Sequence, residues 1–423
     1  MASPTGVRTA AVVTGIGAVS AFGWGIEALH AGLRAGATSI RPITRFDASA
    51  FPTAIAAQVP EPDRARTRGI EGWARMSLAD RFAVSAAREA VARAGLPGDL
   101  SSRMAGVFFA SSTGGMLESE IYYAWGRHDG IDRGPRHLLV SQQVNRPGEA
   151  VARDLSATGP VESVSSACAS AALAIGLALE AVRDGEVEIA LAGGADSLCR
   201  VTYAGFNALQ AVDSRPCRPF RADRAGLSLG EGAAVLVIER PERAAARGAR
   251  PLAVLLGAGA SADAHHMTAP DPSGGGAARA LALALDDAGC RPDEVGLVNA
   301  HGTGTPLNDV AEYRALVRVF GDGARSIPVL ATKASVGHLL GCAGAIEAVA
   351  TILALGDQRL QPVPGGGDSD PATPVRLARE ATAVDCRIAV SLNLGFGGCN
   401  GALVLGRAGA EAGAERVLEE RQR

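Results

Sequence analysis

Cys168 sits in Val161-Glu162-Ser163-Val164-Ser165-Ser166-Ala167-Cys168-Ala169-Ser170-Ala171. The first half alternates apolar and polar residues and predicts a strand running into a tight turn. The second half opens an Ala/Leu-rich run to Val182, closed by Arg183-Asp184-Gly185, which predicts a helix with a glycine stop. A cysteine there meets unpaired backbone N–H groups and the positive end of a helix dipole. Both favour a thiolate, and with it nucleophilic chemistry. A buried structural thiol is the commoner fate of a cysteine, so its companions decide.

Those companions lie in three further loops, each at a predicted strand end among small residues. They are Asn299-Ala300-His301-Gly302-Thr303-Gly304-Thr305, then Thr332-Lys333 through Val336-Gly337-His338 to Gly341, then Asn393-Leu394-Gly395-Phe396-Gly397-Gly398-Cys399-Asn400. Ligands of open α/β sheets gather at such strand ends. Lys333 is the only lysine; the other 40 of the 41 basic residues are arginine. A solitary lysine in that background marks a place where a guanidinium will not serve.

The elements that must position these groups repeat. Ala10 to Val19 reads as a buried strand with a Gly-rich turn, and Met76 to Ala94 as an amphipathic helix. Met104 to Ala110, Val187 to Ala192 and Glu231 to Glu239 read as further strands. After a charged joint at Arg240 to Pro251, the same grammar restarts. Leu252 to Leu256 is a strand with a Gly-rich turn, Gly276 to Ala288 a helix, and Val295 to Asn299, Ile327 to Ala331 and Ile388 to Leu392 are strands. This predicts an α/β protein of two duplicated halves, 1–250 and 251–408, with a 409–423 tail that frays or forms a short exposed helix.

Composition narrows the function classes. The chain has 423 residues, 47% apolar, 4% aromatic, 53 glycines and a net charge of −3. Nothing in that balance favours nucleic acid or an anionic membrane as partner. Apolar stretches are broken by glycine or charge, so no membrane span is expected. Met1-Ala2-Ser3-Pro4-Thr5 has neither a basic stretch nor an apolar run, so no secretion signal is expected and a cytoplasmic location is the default. Seven cysteines, odd in number, widely spaced and without CxxC, argue against a disulfide framework and a zinc site. Gly15-Ile16-Gly17 lacks the third glycine of a dinucleotide loop, and Gly193-Gly194 and Gly274-Gly275-Gly276 read as turns.

The chain resembles the condensing enzymes of the thiolase superfamily, specifically β-ketoacyl-acyl carrier protein synthases of the synthase II type, which include type II polyketide and polyene ketosynthases. The motifs are SSACASA around Cys168, GGAD at Gly193, LGEGAAVLV at Leu229, NAHGTGT at Asn299, TKASVGHLLGCAGAIE at Thr332 and NLGFGGCNGALV at Asn393. The resemblance runs from about Ala10 to Gly406. It implies a thiolase-like five-layered α-β-α-β-α fold built from two βαβαβαββ halves. It implies a homodimer, or a heterodimer with a homologous chain-length-factor-like subunit, and acyl carrier protein as partner. No metal or cofactor is implied, because malonyl decarboxylation drives the condensation.

By resemblance, Cys168 holds the acyl chain, and His301 and His338 donate to the malonyl thioester oxygen as CO₂ leaves. The backbone N–H groups of Cys168 and Phe396 form the second oxyanion hole. Lys333 supports the histidines, with Glu347 the first candidate for its carboxylate partner and Glu312 the second. Thr303 and Thr305 match hydroxyls that hold the phosphopantetheine arm, and Thr268 lines the same entrance. Phe396 matches a gating phenylalanine.

Two departures, Leu394 for a phenylalanine and Thr113 for a bulkier aliphatic residue, predict an enlarged acyl pocket and tilt the pathway toward a dedicated polyketide or polyene route. The carrier-docking patch is thin: Gly69 to Met76 offers only Arg75, and Gln210 stands where an arginine is often found. Arg64, Arg66 and Arg68, or Arg215, Arg218, Arg221 and Arg224, are the substitutes. Two other readings stand beside this one. A silent chain-length-factor-like subunit would lack the cysteine. A thiolase-like enzyme acting on CoA thioesters would use a second cysteine as base, for which Cys399 is the candidate.

Overall fold

The computed structural model describes residues 10–62, 67, 69–130 and 133–409. Arg64, Arg66, Arg68 and the tail beyond 409 lie outside the described residues.

Each half contributes five strands in the same spatial order. In the first, β1 (Ala11–Ser20), β2 (Ala105–Ala110), β3 (Val161–Val164), β4 (Ile189–Asp196) and β5 (Gly232–Glu239) lie as β3-β2-β4-β5-β1. In the second, β6 (Ala253–Ala262), β7 (Val295–Asn299), β8 (Pro328–Leu330), β9 (Ile388–Leu394) and β10 (Cys399–Arg407) lie as β8-β7-β9-β10-β6. The pairings match too. The first three strands of each list are mutually parallel and the last two antiparallel. The two arrays join edge to edge, because β1 pairs antiparallel with β6 over Ala11–Val13 and Ala253–Leu255. With the short Gly23–Trp24 and Arg376–Leu377 strands this makes one 12-stranded sheet.

Two helices fill the space between the arrays. α3 (Ser170–Asp184) touches β2 and β4 of its own half and β6 and β10 of the other. α6 (Ala343–Asp357) touches β9 and β10 of its own half and β4, β5 and β1 of the other. Their buried faces are mostly alanine, and small side chains let two helices and two sheet faces close together. Leu340–Asp357 is long and apolar enough to cross a membrane, contrary to the expectation that no stretch would be, but 83% of it is buried inside the protein. The outer layers are α1 (Leu78–Arg93) with α2 (Arg146–Asp154), and α4 (Gly275–Asp287) with α5 (Pro306–Phe320). Ser77 and Asp80 cap α1 reciprocally, Asp80 N donating to Ser77 Oγ and Ser77 N to Asp80 Oδ2.

Most of the glycines read as turns are strand residues; the exceptions are Gly274, which precedes α4, and Gly275 and Gly276, which open it. β1 runs on through Gly15 and Gly17, and β6 through Gly257 and Gly259. A Cβ on Gly15 or Gly17 would come within 2.1 or 2.0 Å of a carbonyl of α1, and one on Gly257 or Gly259 within 2.6 or 2.2 Å of a carbonyl of α4. Each half thus uses a Gly-x-Gly pair to bring a helix backbone down onto the strand at which the two arrays join. Gly193 and Gly194 are likewise buried in β4.

Candidate active site

The strand–turn–helix around Cys168 forms as the spacing predicts. Ala167, at φ 47°, turns the chain between β3 and α3, an uncommon conformation for a residue with a Cβ. Ser170 holds the turn, accepting from Ser166 N at 2.7 Å and donating to Ala167 O at 2.6 Å. Cys168 is buried two residues before the first helical residue.

The electrostatic expectation for that cysteine is reversed. Burial pushes the Cys168 thiol up to about 11, outweighing the lowering by Lys333 and by the backbone N–H groups of Phe396 and of Cys168 itself. Desolvation of the sulfur exceeds what a helix terminus returns. The resting group is a thiol.

The other half supplies what surrounds it. His301 follows β7, Lys333 follows β8, and His338 lies five residues beyond Lys333. His338 Nε2 is 2.9 Å from Cys168 Sγ. Its Nδ1 accepts from Leu340 N at 3.2 Å, which leaves the ring proton on Nε2. Lys333 Nζ lies 3.0 Å from His301 Nδ1, donates to His301 O at 2.5 Å, and pairs with Glu347. An ammonium has no lone pair, so His301 also carries its proton on Nε2, the donor left for the cavity that the residue lines. The two imidazoles are edge to face, 5.4 Å apart. Burial, followed by the charge of Lys333, holds both well below the ordinary histidine value, so both are neutral near pH 7.

Glu347 is anchored on its other oxygen by Asn393 Nδ2 at 2.6 Å, and its backbone carbonyl accepts from Asn299 Nδ2 at 2.9 Å. Glu312, the second candidate for Lys333, sits elsewhere. It accepts from the backbone N–H groups of His301, at 2.5 Å, and Gly302, at 2.8 Å, and burial pushes its carboxyl up to about 8. It braces the loop beneath His301 rather than the lysine.

Cys168, His301 and His338 present their heteroatoms within 4.8 Å of one another. They are metal-ligand types. Yet each imidazole's Nδ1 already accepts a hydrogen bond and its Nε2 carries the proton, so the cluster offers donors rather than lone pairs.

A cavity of about 230 Å³ leads to this cluster, lined also by Thr268, Thr303, Thr305, Leu394 and Phe396. Thr303 and Thr305 hydroxyls are 2.9 Å apart. Phe396 stacks on Phe206, with ring centroids 5.7 Å apart and planes 24° apart. Phe206 stands on the helix Arg200–Ala208, and nothing in its local sequence marked it. The Phe396 loop is tied to its neighbours: Gly397 N donates to Met267 O and Asp263 N to Gly398 O, both at 2.8 Å. Cys399 is not among the cavity's lining residues.

One expected residue lies apart from this cavity, and one expected patch does not form. Thr113 does not line the cavity; its N–H and hydroxyl donate to buried Asp196 at 2.7 and 2.8 Å. Nor do Arg215, Arg218, Arg221 and Arg224 form an exposed patch. Arg218 is buried against Asp213, Arg224 against Asp309 and Asp370, and Arg221 is buried as well. Only Arg215 is exposed, its side chain at 58%.

The N-terminal domain of β-ketoacyl synthase matches residues 9–244 and its C-terminal domain residues 252–366. The chain belongs to the β-ketoacyl synthase family. It is a condensing enzyme of the acyltransferase type. It is 36% identical over 408 residues to 3-oxoacyl-[acyl-carrier-protein] synthase 2 of Staphylococcus aureus strain N315, across 93% of this chain and 97% of that one. Among solved structures it resembles the ishigamide ketosynthase/chain length factor, with a TM-score of 0.91 and 38% identity, across 95% of this chain and 100% of that one. A type II PKS acyl-carrier protein in complex with its ketosynthase bound to the hexaketide gives 0.86 at 29% identity, with the same coverage.

Proposed function

We propose that this β-ketoacyl synthase extends an acyl chain held on Cys168 by decarboxylative Claisen condensation with malonyl-acyl carrier protein. The observation that carries the reading is the pair of neutral imidazoles, each with its Nδ1 occupied, beside one buried thiol.

In the first step Cys168 Sγ attacks the thioester of an incoming acyl carrier. The C–S bond to the carrier breaks, and the carrier thiol leaves with the proton that Cys168 gives up. His338 Nε2–H, 2.9 Å from the sulfur, supports the developing thiolate. In the second, malonyl thioester binds and its bond to the carboxylate breaks, releasing CO₂. The electron pair moves onto the thioester oxygen, where His301 and His338 donate to it. Neutral donors serve here: an imidazolium would pair with the malonyl carboxylate and hold it. In the third, the enolate carbon attacks the Cys168 thioester. The tetrahedral oxyanion meets the N–H groups of Cys168 and Phe396, then collapses to the β-ketoacyl product and frees the sulfur. Lys333 and Glu347 keep His301 oriented, and Glu312 braces its backbone. Thr303, Thr305 and Thr268 hold the pantetheine arm, which Phe396 admits. Leu394 shapes the acyl end.

The partners follow the relatives: acyl carrier protein, and either a second copy or a homologous chain-length-factor-like subunit. Supporting a dimer, β3 is an outer edge strand with Val161 exposed, and Ile121, Tyr123 and Trp125 stand exposed on the helix Met116–Asp129. Seven free cysteines fit a reducing cytoplasm. The pathway is type II fatty acid or polyketide/polyene synthesis. The test is incubation with acyl- and malonyl-acyl carrier protein, with and without a candidate partner subunit. CO₂ release and a β-ketoacyl product are expected, and the absence of both acyl loading and decarboxylation overturns the reading.

A further inference from the structure

Among the described residues, Arg221 is the largest fully buried side chain. A buried arginine ordinarily faces a carboxylate. Arg221 has none within hydrogen-bond reach: among the described residues its one side-chain hydrogen bond is from Nη1 to the carbonyl of Gly367, at 3.3 Å, and its Nε has no partner. Arg379 donates to the same carbonyl at 3.2 Å, so two guanidinium groups converge on one oxygen. Burial, and after it repulsion from Arg379, act against the charge on Arg221, and Asp223 and Asp368 only partly offset them. Asp223 is already engaged by Arg215 and Arg218.

Arg221 and Arg379 both line a second cavity, separate from the active-site cavity, with Arg34 and Glu380 also on its wall. Three arginines stand on the wall against one carboxylate, Glu380, with Asp357 pairing Arg34 at 3.8 Å from outside it, and that excess of positive charge on the wall suits an anion. Gly365, Gly366 and Gly367 all have positive φ, and the first two line the cavity with bare backbone. No side chain from that loop fills it.

We infer that the cavity of Arg34, Arg221 and Arg379 binds a phosphate-type oxyanion. Guanidinium forks match phosphate oxygens, and phosphate is mostly dianionic above pH 7. The source is either free phosphate or a phosphate ester.

The experiment follows thermal unfolding of the full chain while inorganic phosphate is titrated at constant ionic strength against chloride. A saturable rise in melting temperature is expected with phosphate alone. Arg379→Gln, an exposed site that leaves the core intact, is expected to weaken half-saturation by about tenfold, and Arg221→Gln to abolish the effect. Adenosine 3′,5′-bisphosphate separates the sources: tighter binding than phosphate assigns an ester, equal binding assigns the free ion. Stabilisation no larger than chloride gives, an Arg379→Gln protein indistinguishable from wild type, or an effect lost when Cys168 is alkylated overturns the inference. The last outcome would place the anion in the active-site cavity.

Discussion

Lys333 Nζ lies 3.0 Å from His301 Nδ1 and also bonds the backbone carbonyl of the same residue. One ammonium therefore fixes both the tautomer and the position of His301, while its remaining contact ties it to Glu347. The only lysine of the chain is spent here because a compact point charge with three donors fits three close acceptors in a dry site, and a planar fork does not.

Lys333→Arg is accordingly expected to lower malonyl decarboxylation by about 10²-fold or more, the loss typical of a displaced oxyanion donor. In the proposed mechanism acyl loading of Cys168 draws on His338 instead, so loading should be largely kept. CO₂ release and mass-spectrometric acyl loading, measured side by side, check the split. Full activity with arginine would refute the role given to the ammonium.

Cys168→Ala removes the proposed acyl acceptor but neither imidazole donor. It should abolish loading and condensation while leaving malonyl decarboxylation measurable. A variant that loses all three would mean that the sulfur also holds the histidines in place.

The high thiol value makes a kinetic statement. With the thiol at about 11, its thiolate fraction grows about tenfold for each pH unit between 7 and 9. Alkylation of Cys168 by iodoacetamide should climb accordingly. A plateau by pH 8 would mean a thiolate already formed.

The histidines give the opposite pattern. Both are held well below 6.5, so both stay neutral as pH rises through 6.5 and take up protons only further down. Malonyl decarboxylation should be level from pH 6.5 to 7.5 and fall on the acid side. A rate that halves near 6.5 would contradict the desolvated pair. Stability has the matching sign. The unfolded imidazoles protonate first, so folding weakens as pH drops below the unfolded value.

Gly17→Ala and Gly259→Ala place a Cβ 2.0 and 2.2 Å from helix carbonyls in the two halves. Each should destabilise the fold by about 1–3 kcal/mol or more, read as a lower denaturant midpoint with intact cysteine chemistry in whatever remains folded.

Much of the site was readable from the chain because its chemistry needs small neighbours. Cys168, His301 and His338 stand among alanines, serines and glycines at strand ends, and Lys333 stood out against a background of arginine. Glu347 came from its motif. What stayed hidden depends on partners distant in sequence. Gly15 and Gly17 look like a turn until α1 is laid across them. Arg218 and Arg224 look like a solvated run until Asp213, Asp309 and Asp370 close on them. The cost of burying Cys168 is invisible in its local sequence, where only the favourable helix start appears. Phe206 acquires meaning only when Phe396 stacks on it.

Cys168, the proposed nucleophile, belongs to the first repeat, and His301, Lys333, His338 and Phe396 belong to the second, with α3 and α6 packed between. Neither repeat can therefore be sampled for function alone, and turnover becomes a gauge of assembly. If the chain were severed at the joint between the repeats and the pieces mixed, recovered condensation would count reunited molecules. The copies share an architecture, but after the division of labour between Cys168 and the histidines neither can stand in for the other.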